Sequence, residues 1–461
     1  MGETNSILII ATNQNVDHWD KVNPVTAEYP LHLDASGYKA LYIEMEHPAG
    51  IQLVDCDNEV WEYTIPDQGL WKPTIPFTAF KLKGNQGNHH LDTADLKSIR
   101  IINTAQIYSP IIIKQFGFAE SKGVFGPTVS IDPLFESYKT KPWIDWAKEI
   151  KAYGFTAVHV IAVTDIPIEK QQEIVTAFYK EGLACIFRLY PTTDFAAYQQ
   201  HPEWRQQLLN GESKYDWRVY LCPNHPDFVK LIAARIEKTI KQVPYDGIQL
   251  AEPWFEVWGG PYETNPARGG YACLCDSCVA KFKKITGINP RDLFDKQSKY
   301  YFTKPENKKL YEQWVSFRVD TITAFSKTLF DTAKRIHPEI KTFGMYLSDC
   351  RVKLDAVREY QAQDLELIID RIKPDAITIE DAWQDWTQPD LSPSFISDYA
   401  KAYITRIRNQ AKYPIIIQSH ADIGSRKDTQ RTYRWMRQFS AYSQRGGFDS
   451  PTYYEYSIGK F

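Results

Sequence analysis

Residues 246–282 read DGIQLAEPWFEVWGGPYETNPARGGYACLCDSCVAKF, and the rest of the chain is read outward from them. Asp246-Gly247 is a turn signal, Ile248, Gln249 and Leu250 form a short buried strand, and Glu252 falls where that strand ends. Cys273, Cys275 and Cys278 close the stretch. On both sides of it, from Gly126 onward, the chain alternates short β-branched runs with amphipathic helical runs, the texture of βα units around a parallel sheet.

Eight strands are expected, at Thr128–Asp132, Ala157–Thr164, Ala184–Leu189, Gly247–Ala251, Lys341–Tyr346, Ala376–Glu380, Ile415–Ser419 and Phe448–Tyr453. Helical stretches between them include Trp143–Tyr153, Glu169–Glu181, Phe228–Lys241, Tyr311–Arg335, Leu365–Ile372, Ile396–Asn409 and Thr429–Ser443. This count predicts a (β/α)8 TIM barrel over residues 122–461. A doubly wound open sheet would carry a glycine-rich phosphate turn after its first strand, and GPTVSIDP at 126–133 is not one.

Residues 1–121 lack a helical period. Short alternating or β-branched runs at Ser6–Ala11, Ala40–Glu46, Ile51–Asp55, Val60–Ile65, Ile99–Asn103 and Ile111–Phe116, separated by Gly, Pro, Asn and Asp, predict an all-β sandwich. In rhythm the segment from Leu70 to Phe77, with Phe80, Leu91-Asp92 and Leu96 to Ile99, resembles jelly-roll carbohydrate-binding modules. That resemblance makes Trp19, Trp61 and Trp71 candidate sugar platforms. An accessory domain that only braces the barrel is the other reading.

The 461 residues carry a formal charge of -3 from 54 basic and 57 acidic side chains, interspersed, without the basic stripe that a phosphate backbone requires. Nucleic acid is therefore not an expected partner. Without a run of about 18 apolar residues, no membrane span is expected either. The start MGETNSILIIATNQ lacks the features of a signal peptide. As written, the chain points to the cytoplasm, and to the exterior if a signal has been removed. Aromatic residues are abundant, with 13 Trp, 28 Tyr and 23 Phe, and flat rings can stack on the apolar faces of sugars.

In a barrel the chemistry lies at the carboxyl ends of the strands. The polar residues expected there are Asp132, Asp165, Arg188, Glu252, Tyr346 with Ser348 and Asp349, Glu380 with Asp381, His420 with Asp422, and Glu455; Trp254, Trp258, Trp383 and Trp386 follow the fourth and sixth strands. Rings beside carboxylates describe a sugar site better than a nucleotide site.

Four of the seven cysteines form a pattern. Cys222 lies in RVYLCPNHPDF, and after it come Cys273, Cys275 and Cys278, a C-x-C-x2-C run. Four thiolates so arranged suit a closed, structural zinc site; buried reduced cysteines without metal are the alternative. Cys56, Cys185 and Cys350 read as small buried hydrophobes.

The order Cys222-Pro-Asn-His-Pro, a helix, a strand ending in Glu252, then Cys273-x-Cys275-x2-Cys278 and Phe282 resembles the family 42 β-galactosidases. The resemblance covers about 60 residues and implies a barrel glycosidase with Glu252 as general acid/base and Cys222, Cys273, Cys275 and Cys278 as ligands of a structural zinc ion. Two departures stand out. The family places Asn before its acid/base, where this chain has Ala251, and it places a glutamate nucleophile at the end of the seventh strand, where this chain offers Gln418, Ser419 and His420.

Hydrolysis of a glycoside needs two carboxyl groups. The second candidate is Glu380, at the end of the sixth strand, whose other reading is a salt bridge to Arg188 or another basic group. Flanked by Pro253, Trp254 and Phe255, Glu252 is expected in apolar surroundings that suit a general acid, with Glu380 as nucleophile or base. Asp132, Arg188, Trp254, Tyr346, Asp381, Trp383, His420 and Glu455 are the expected substrate contacts. Without H-E-x-x-H or G-x-S-x-G, no catalytic metal or other catalytic cofactor and no serine-hydrolase chemistry is expected. The expected function is cleavage of an oligo- or polysaccharide. The alternatives are a non-catalytic carbohydrate-binding barrel and a barrel enzyme of other sugar chemistry, a deacetylase or lyase. Oligomeric state is not legible in the sequence.

Overall fold

A computed structural model describes residues 26–35, 40–45, 49–64, 74–77, 80–84, 91–103, 113–119, 124–162, 166–213, 218–256, 272–348 and 356–461. Asp165, Asp349, Cys350, Trp19, Trp71, Trp258 and the run Ser6–Ala11 lie outside them. The chain divides into two compact units, Met1–Lys122 with Lys241–Pro244, and Gly123–Ile240 with Tyr245–Phe461.

In the first unit, five strands form an antiparallel sheet in the order Thr26–Leu33, Leu96–Asn103, Ala49–Val54, Val60–Thr64 and Lys81–Leu82, and three form a second in the order Thr74–Pro76, Ala40–Met45 and Ile113–Ala119. Their inward residues make one core, including Leu41, Ile43, Ile51, Leu53, Ile99 and Ile101. The strand Thr26–Leu33 carries no apolar alternation because it is an edge exposed along most of its length and contains Pro30. Trp61 is not an exposed platform: it is buried in that core, and its indole N–H donates to Asp55 Oδ2 at 3.0 Å.

The second unit is a closed barrel of eight parallel strands, taken in order as the first to the eighth: Thr128–Ile131, Ala157–Ala162, Ala184–Leu189, Gly247–Leu250, Lys341–Leu347, Ala376–Glu380, Ile416–Asp422 and Ser450–Tyr454. Because helices cover the outside and side chains fill the inside, the strands are buried almost throughout and read as continuous apolar runs. The helices present one apolar stripe each. Pro226–Gln242 buries Phe228, Ile232, Ile236 and Ile240, spaced four apart.

The amino-terminal end of the barrel is tied by three aspartates, each one residue ahead of an even-numbered strand. Asp246 Oδ2 accepts the Cys185 N–H at 2.9 Å, Asp375 Oδ2 accepts that of Thr342 at 2.9 Å, and Asp449 Oδ2 accepts that of Ile417 at 2.7 Å. Each carboxylate thus takes up an amide at the start of the preceding strand, a charge-assisted bond that sets register. Gly247 follows the first of these because its neighbours leave no room: an added Cβ would lie 2.8 Å from Phe343 Cε2 and 3.1 Å from the Lys341 carbonyl.

Above that end the barrel interior is polar. Gln249 donates to Thr378 Oγ1 at 3.2 Å, Thr378 to Gln418 Oε1 at 3.0 Å, and Gln418 to Ser450 Oγ at 3.2 Å. Thr128 meets Thr452 at 2.6 Å across the closing seam between the first and eighth strands. A TIM barrel more often fills this space with branched aliphatics.

Candidate active site

Glu252 sits just past the fourth strand, in a segment without regular structure that is held from three sides. The Ala251 N–H donates to the Leu189 carbonyl at 2.8 Å, Phe255 N–H to the Gln361 carbonyl at 3.1 Å, and Glu256 N–H to Gln206 Oε1 at 2.9 Å. Gln363 adds a bond from Nε2 to the Pro253 carbonyl at 3.3 Å. Within this frame Glu252 adopts φ of 51°, the left-handed region that a residue with a Cβ enters at a cost of about 1 kcal/mol or more. Such strain persists only where surrounding bonds over-determine the backbone, and here they do.

The surroundings of Glu252 are not apolar. Arg218 Nη1 lies 2.6 Å from Glu252 Oε2, with the arginine side chain only 1% exposed. The guanidinium is sandwiched among rings, 4.4 Å from the Trp254 centroid and 4.8 Å from that of Tyr220, and its Nε donates to Tyr220 Oη at 2.8 Å. Burial works against its charge, but Glu252, Tyr220 and Glu256 outweigh it and hold it firmly cationic. Sequence reasoning missed Arg218. The signal available was a cation beside the apolar run Val219-Tyr220-Leu221, which cannot be buried without an anion.

Glu380 is the last residue of the sixth strand and points inward. Its Oε2 is out of solvent and has no hydrogen-bond partner among the described residues. Burial pushes its carboxyl well above the usual range, the Glu252 charge adds to this, and Arg188 opposes it. Arg188 stands in the barrel centre, its Nη1 donating to Ser130 Oγ at 2.9 Å and its guanidinium 5.5 Å from the Tyr454 ring and 5.7 Å from that of Tyr190. The two carboxyls and the two arginines therefore belong to one electrostatic unit at the carboxyl end of the barrel.

Beside it, His420 on the seventh strand donates from Nδ1 to Asp381 Oδ1 at 2.7 Å, and Asp381 Oδ2 accepts the Asp422 N–H at 3.0 Å. Both side chains are buried. Trp254 lines the site through its stack with Arg218, and Trp383 opens a four-residue helix after the sixth strand with 54% of its surface exposed. Trp386 ends that helix and is half-buried.

Two expected substrate contacts face elsewhere. Tyr346 is buried against Tyr403 of the helix Ile396–Gln410, with ring centroids 5.8 Å apart, so it points out into the helical layer while its neighbour Met345 faces Arg188. Its strand is covered on both faces, and hydrophobicity does not reveal which residues point inward. Glu455 is 0% exposed and both oxygens are taken: Oε1 by the Asp132 N–H and the Tyr138 hydroxyl, Oε2 by the Ser457 N–H and hydroxyl. It is a peg between the first and last strands, with its carboxyl raised to about 7 by burial against those bonds. Asp132 is buried next to it and accepts the Leu134 N–H at 3.0 Å.

The cysteine cluster packs against Phe255, three residues after Glu252. The sulfurs of Cys222, Cys273, Cys275 and Cys278 lie within 4.8 Å of one another, all buried, and none is in a disulfide. Donors point at them: the Asn224 N–H reaches Cys222 Sγ at 3.4 Å and Asn224 Nδ2 reaches Cys278 Sγ at 3.2 Å. Such N–H to sulfur contacts favour thiolates, so the donor set fits a soft or borderline metal ion. Arg318, fully buried, donates to the Ala272 carbonyl at 2.8 Å and so ties the segment entering the cluster to the helix Lys308–Ile336.

No protein-family model matches the sequence, and no curated protein matches it. Solved structures do match. The glycoside hydrolase domain of PgaB (BpsB) from Bordetella bronchiseptica is similar with a TM-score of 0.53 at 12% identity, over 72% of this chain and 94% of that one. A cold-adapted β-galactosidase from Rahnella sp. R3 gives 0.53 at 12% identity, over 74% and 53% of the two chains. The GH42 β-galactosidase Gan42B from G. stearothermophilus gives 0.50 at 13% identity, over 73% and 53%. The chain thus spans about half the length of the β-galactosidases that it matches. At these identities the shared property is the fold: this chain carries the (β/α)8 barrel found in glycoside hydrolases.

Proposed function

We propose that the chain is a glycoside hydrolase acting on an oligo- or polysaccharide, with Glu252 and Glu380 as its paired carboxyls. The observation that carries this reading is the contrast between them in one buried mouth. Glu252 faces a guanidinium at 2.6 Å, whereas Glu380 has a solvent-free, unbonded oxygen and a carboxyl pushed up by burial and by the Glu252 charge. Two carboxyls in unlike environments, one against a cation and one buried without a bond, suit the two different roles that glycoside hydrolysis requires.

The roles divide the opposite way from the sequence expectation. Glu380, protonated, gives its proton to the departing glycosidic oxygen as the C–O bond breaks. Glu252, paired with Arg218, attacks the anomeric carbon or takes a proton from the attacking water. The exposed Trp383 ring offers a stacking surface for a sugar unit, and Trp254, with Arg218 over one face, borders the site. Asp132 and Arg188 shape the polar floor.

The thiolates of Cys222, Cys273, Cys275 and Cys278 would hold a structural zinc ion. Four sulfur donors complete a tetrahedral set and leave no position for substrate, so the ion would pin the loop after the fourth strand.

The test is hydrolysis of a panel of aryl glycosides and polysaccharides by the parent, Glu252→Gln and Glu380→Gln. Turnover retained in both variants sinks the assignment, and sugar binding without turnover in the parent favours a non-catalytic barrel. For a retaining reaction, azide added to Glu252→Ala and Glu380→Ala separates the roles. It replaces a missing nucleophile with inversion at the anomeric carbon, and a missing acid/base without it.

A further inference from the structure

We propose that Glu380 and His420 share one proton, with Asp381 holding the imidazole so that only its Nε2 can exchange it. The geometry begins with the 2.7 Å bond from His420 Nδ1 to Asp381 Oδ1, which commits Nδ1 to a donor role and fixes the tautomer. Asp381 cannot turn away, because its other oxygen accepts the Asp422 N–H at 3.0 Å. The remaining ring nitrogen, Nε2, is buried without a partner among the described residues, and so is Glu380 Oε2. A buried polar atom left unbonded is costly, so two of them at the ends of neighbouring strands are not neutral features of a fold.

Register puts these two residues on neighbouring strands at the same level of the barrel. Thr378 pairs with Gln418 and Ile379 with Ser419, so Glu380 and His420 are the next positions on neighbouring strands. Thr378 and Gln418 meet inside the barrel at 3.0 Å, and alternation puts Glu380 and His420 on that same inner side. One lacks a donor or an acceptor, depending on protonation, and the other lacks its complement. As placed, the two atoms do not bond each other, so a single proton carried by either one satisfies both through one bridging water. His420 thus fills the seventh-strand position as a positioning residue, acting through Glu380.

Other charged or titratable groups lie around His420 among the described residues. His159 approaches from the second strand and is held neutral by burial and by Arg188; Asp422 lies two residues along the same strand, and Arg431 faces both Asp381 and Asp422. None of them is in a position to replace Glu380 as the neighbour of Nε2 in the strand register.

The proposal rests on Glu380 as proton donor, and two experiments separate its failure from that of the wider reading. In the first, which needs no substrate, the imidazole nitrogens of 15N-histidine-labelled protein are titrated by NMR, with His420 assigned by its loss in His420→Gln. Glu380→Gln is expected to lower the His420 midpoint by about one pH unit or more, the signature of coupled sites. An unmoved midpoint overturns the shared proton even if the enzyme hydrolyses glycosides. In the second, His420→Gln is expected to move the limb on which kcat falls with rising pH about one unit toward acid, with KM within about twofold. A uniform loss of kcat at every pH, with the limb in place, overturns the positioning role. Absence of hydrolysis in the parent overturns the wider reading and leaves the NMR result to stand by itself.

Discussion

The two ends of the barrel treat polar groups in opposite ways. At the amino-terminal end Asp246, Asp375 and Asp449 each accept a strand amide, and Asp375 also takes the Thr342 hydroxyl at 2.9 Å and Lys334 at 3.0 Å. At the carboxyl end Glu380 Oε2, His420 Nε2, Trp254 Nε1 and Arg188 Nε are buried and unbonded among the described residues, and Glu252 holds a strained φ. One end spends its carboxylates on register. The other leaves these four atoms without partners among the described residues, at the expense of stability, a contrast expected between a structural and a functional site in a single fold.

Substitutions can break this contrast, and the largest effect is expected at the mouth. Glu252→Gln and Glu380→Gln should each lower kcat on a hydrolysed glycoside by about 10²–10⁴-fold. Glu380→Gln should leave thermal stability within about 1 kcal/mol or raise it, because it removes a carboxyl from a site that disfavours its charge. Steady-state kinetics together with calorimetry check both halves, and a variant that loses activity by unfolding would erase the distinction.

Next in size, Cys222→Ser should cost about 4 kcal/mol or more if the cluster holds a metal ion. Metal analysis should find about one zinc per parent chain and a substoichiometric amount in the variant. Loss of zinc with unchanged chemical denaturation would show that the ion does not support the fold.

At the other end, Asp375→Ala should destabilise by about 1.5–3 kcal/mol with kcat unchanged. Burial would raise the Asp375 carboxyl, but the Thr342 amide and Lys334 bring it below the ordinary aspartate range. A folded-state pKa below the unfolded one means that this stability is present above about pH 4 and drains away as pH falls through the folded value. The parent should therefore lose its advantage over Asp375→Asn in acid, measured as the gap between their urea midpoints from pH 7 to pH 3. A gap that widens toward acid would contradict the sign.

Trp383→Ala should have the smallest effect. With 54% of the ring exposed, stability should stay within about 0.5 kcal/mol, while affinity for a bound oligosaccharide falls, as read by calorimetric titration.

Much of the architecture was legible because it rests on local signals. The strands Ala184–Leu189 and Ala376–Glu380 fall on their expected bounds, and the other six are displaced at their ends by a few residues. The cysteines converge as their spacing implied. Side-chain direction was less legible. Tyr346 and Met345 are adjacent in an unbroken apolar run, and nothing in Lys341–Leu347 marks which of them meets Arg188. Glu455 carries the composition of a ligand contact but is consumed by Asp132, Tyr138 and Ser457.

By itself, the sequence determined the number and order of the barrel strands, the position of Glu252 and Glu380 at strand ends, and the sulfur set, since turn residues, hydrophobic runs and ligand spacing act over short distances along the chain. Only the tertiary structure decided that Arg218 charges the surroundings of Glu252, that Asp381 holds His420 across 39 positions, and that Glu380 Oε2 and His420 Nε2 are unbonded among the described residues. These are properties of barrel closure. Which residues face one another across it depends on strand parity and register, and a strand buried on both faces leaves no trace of either in its hydrophobicity.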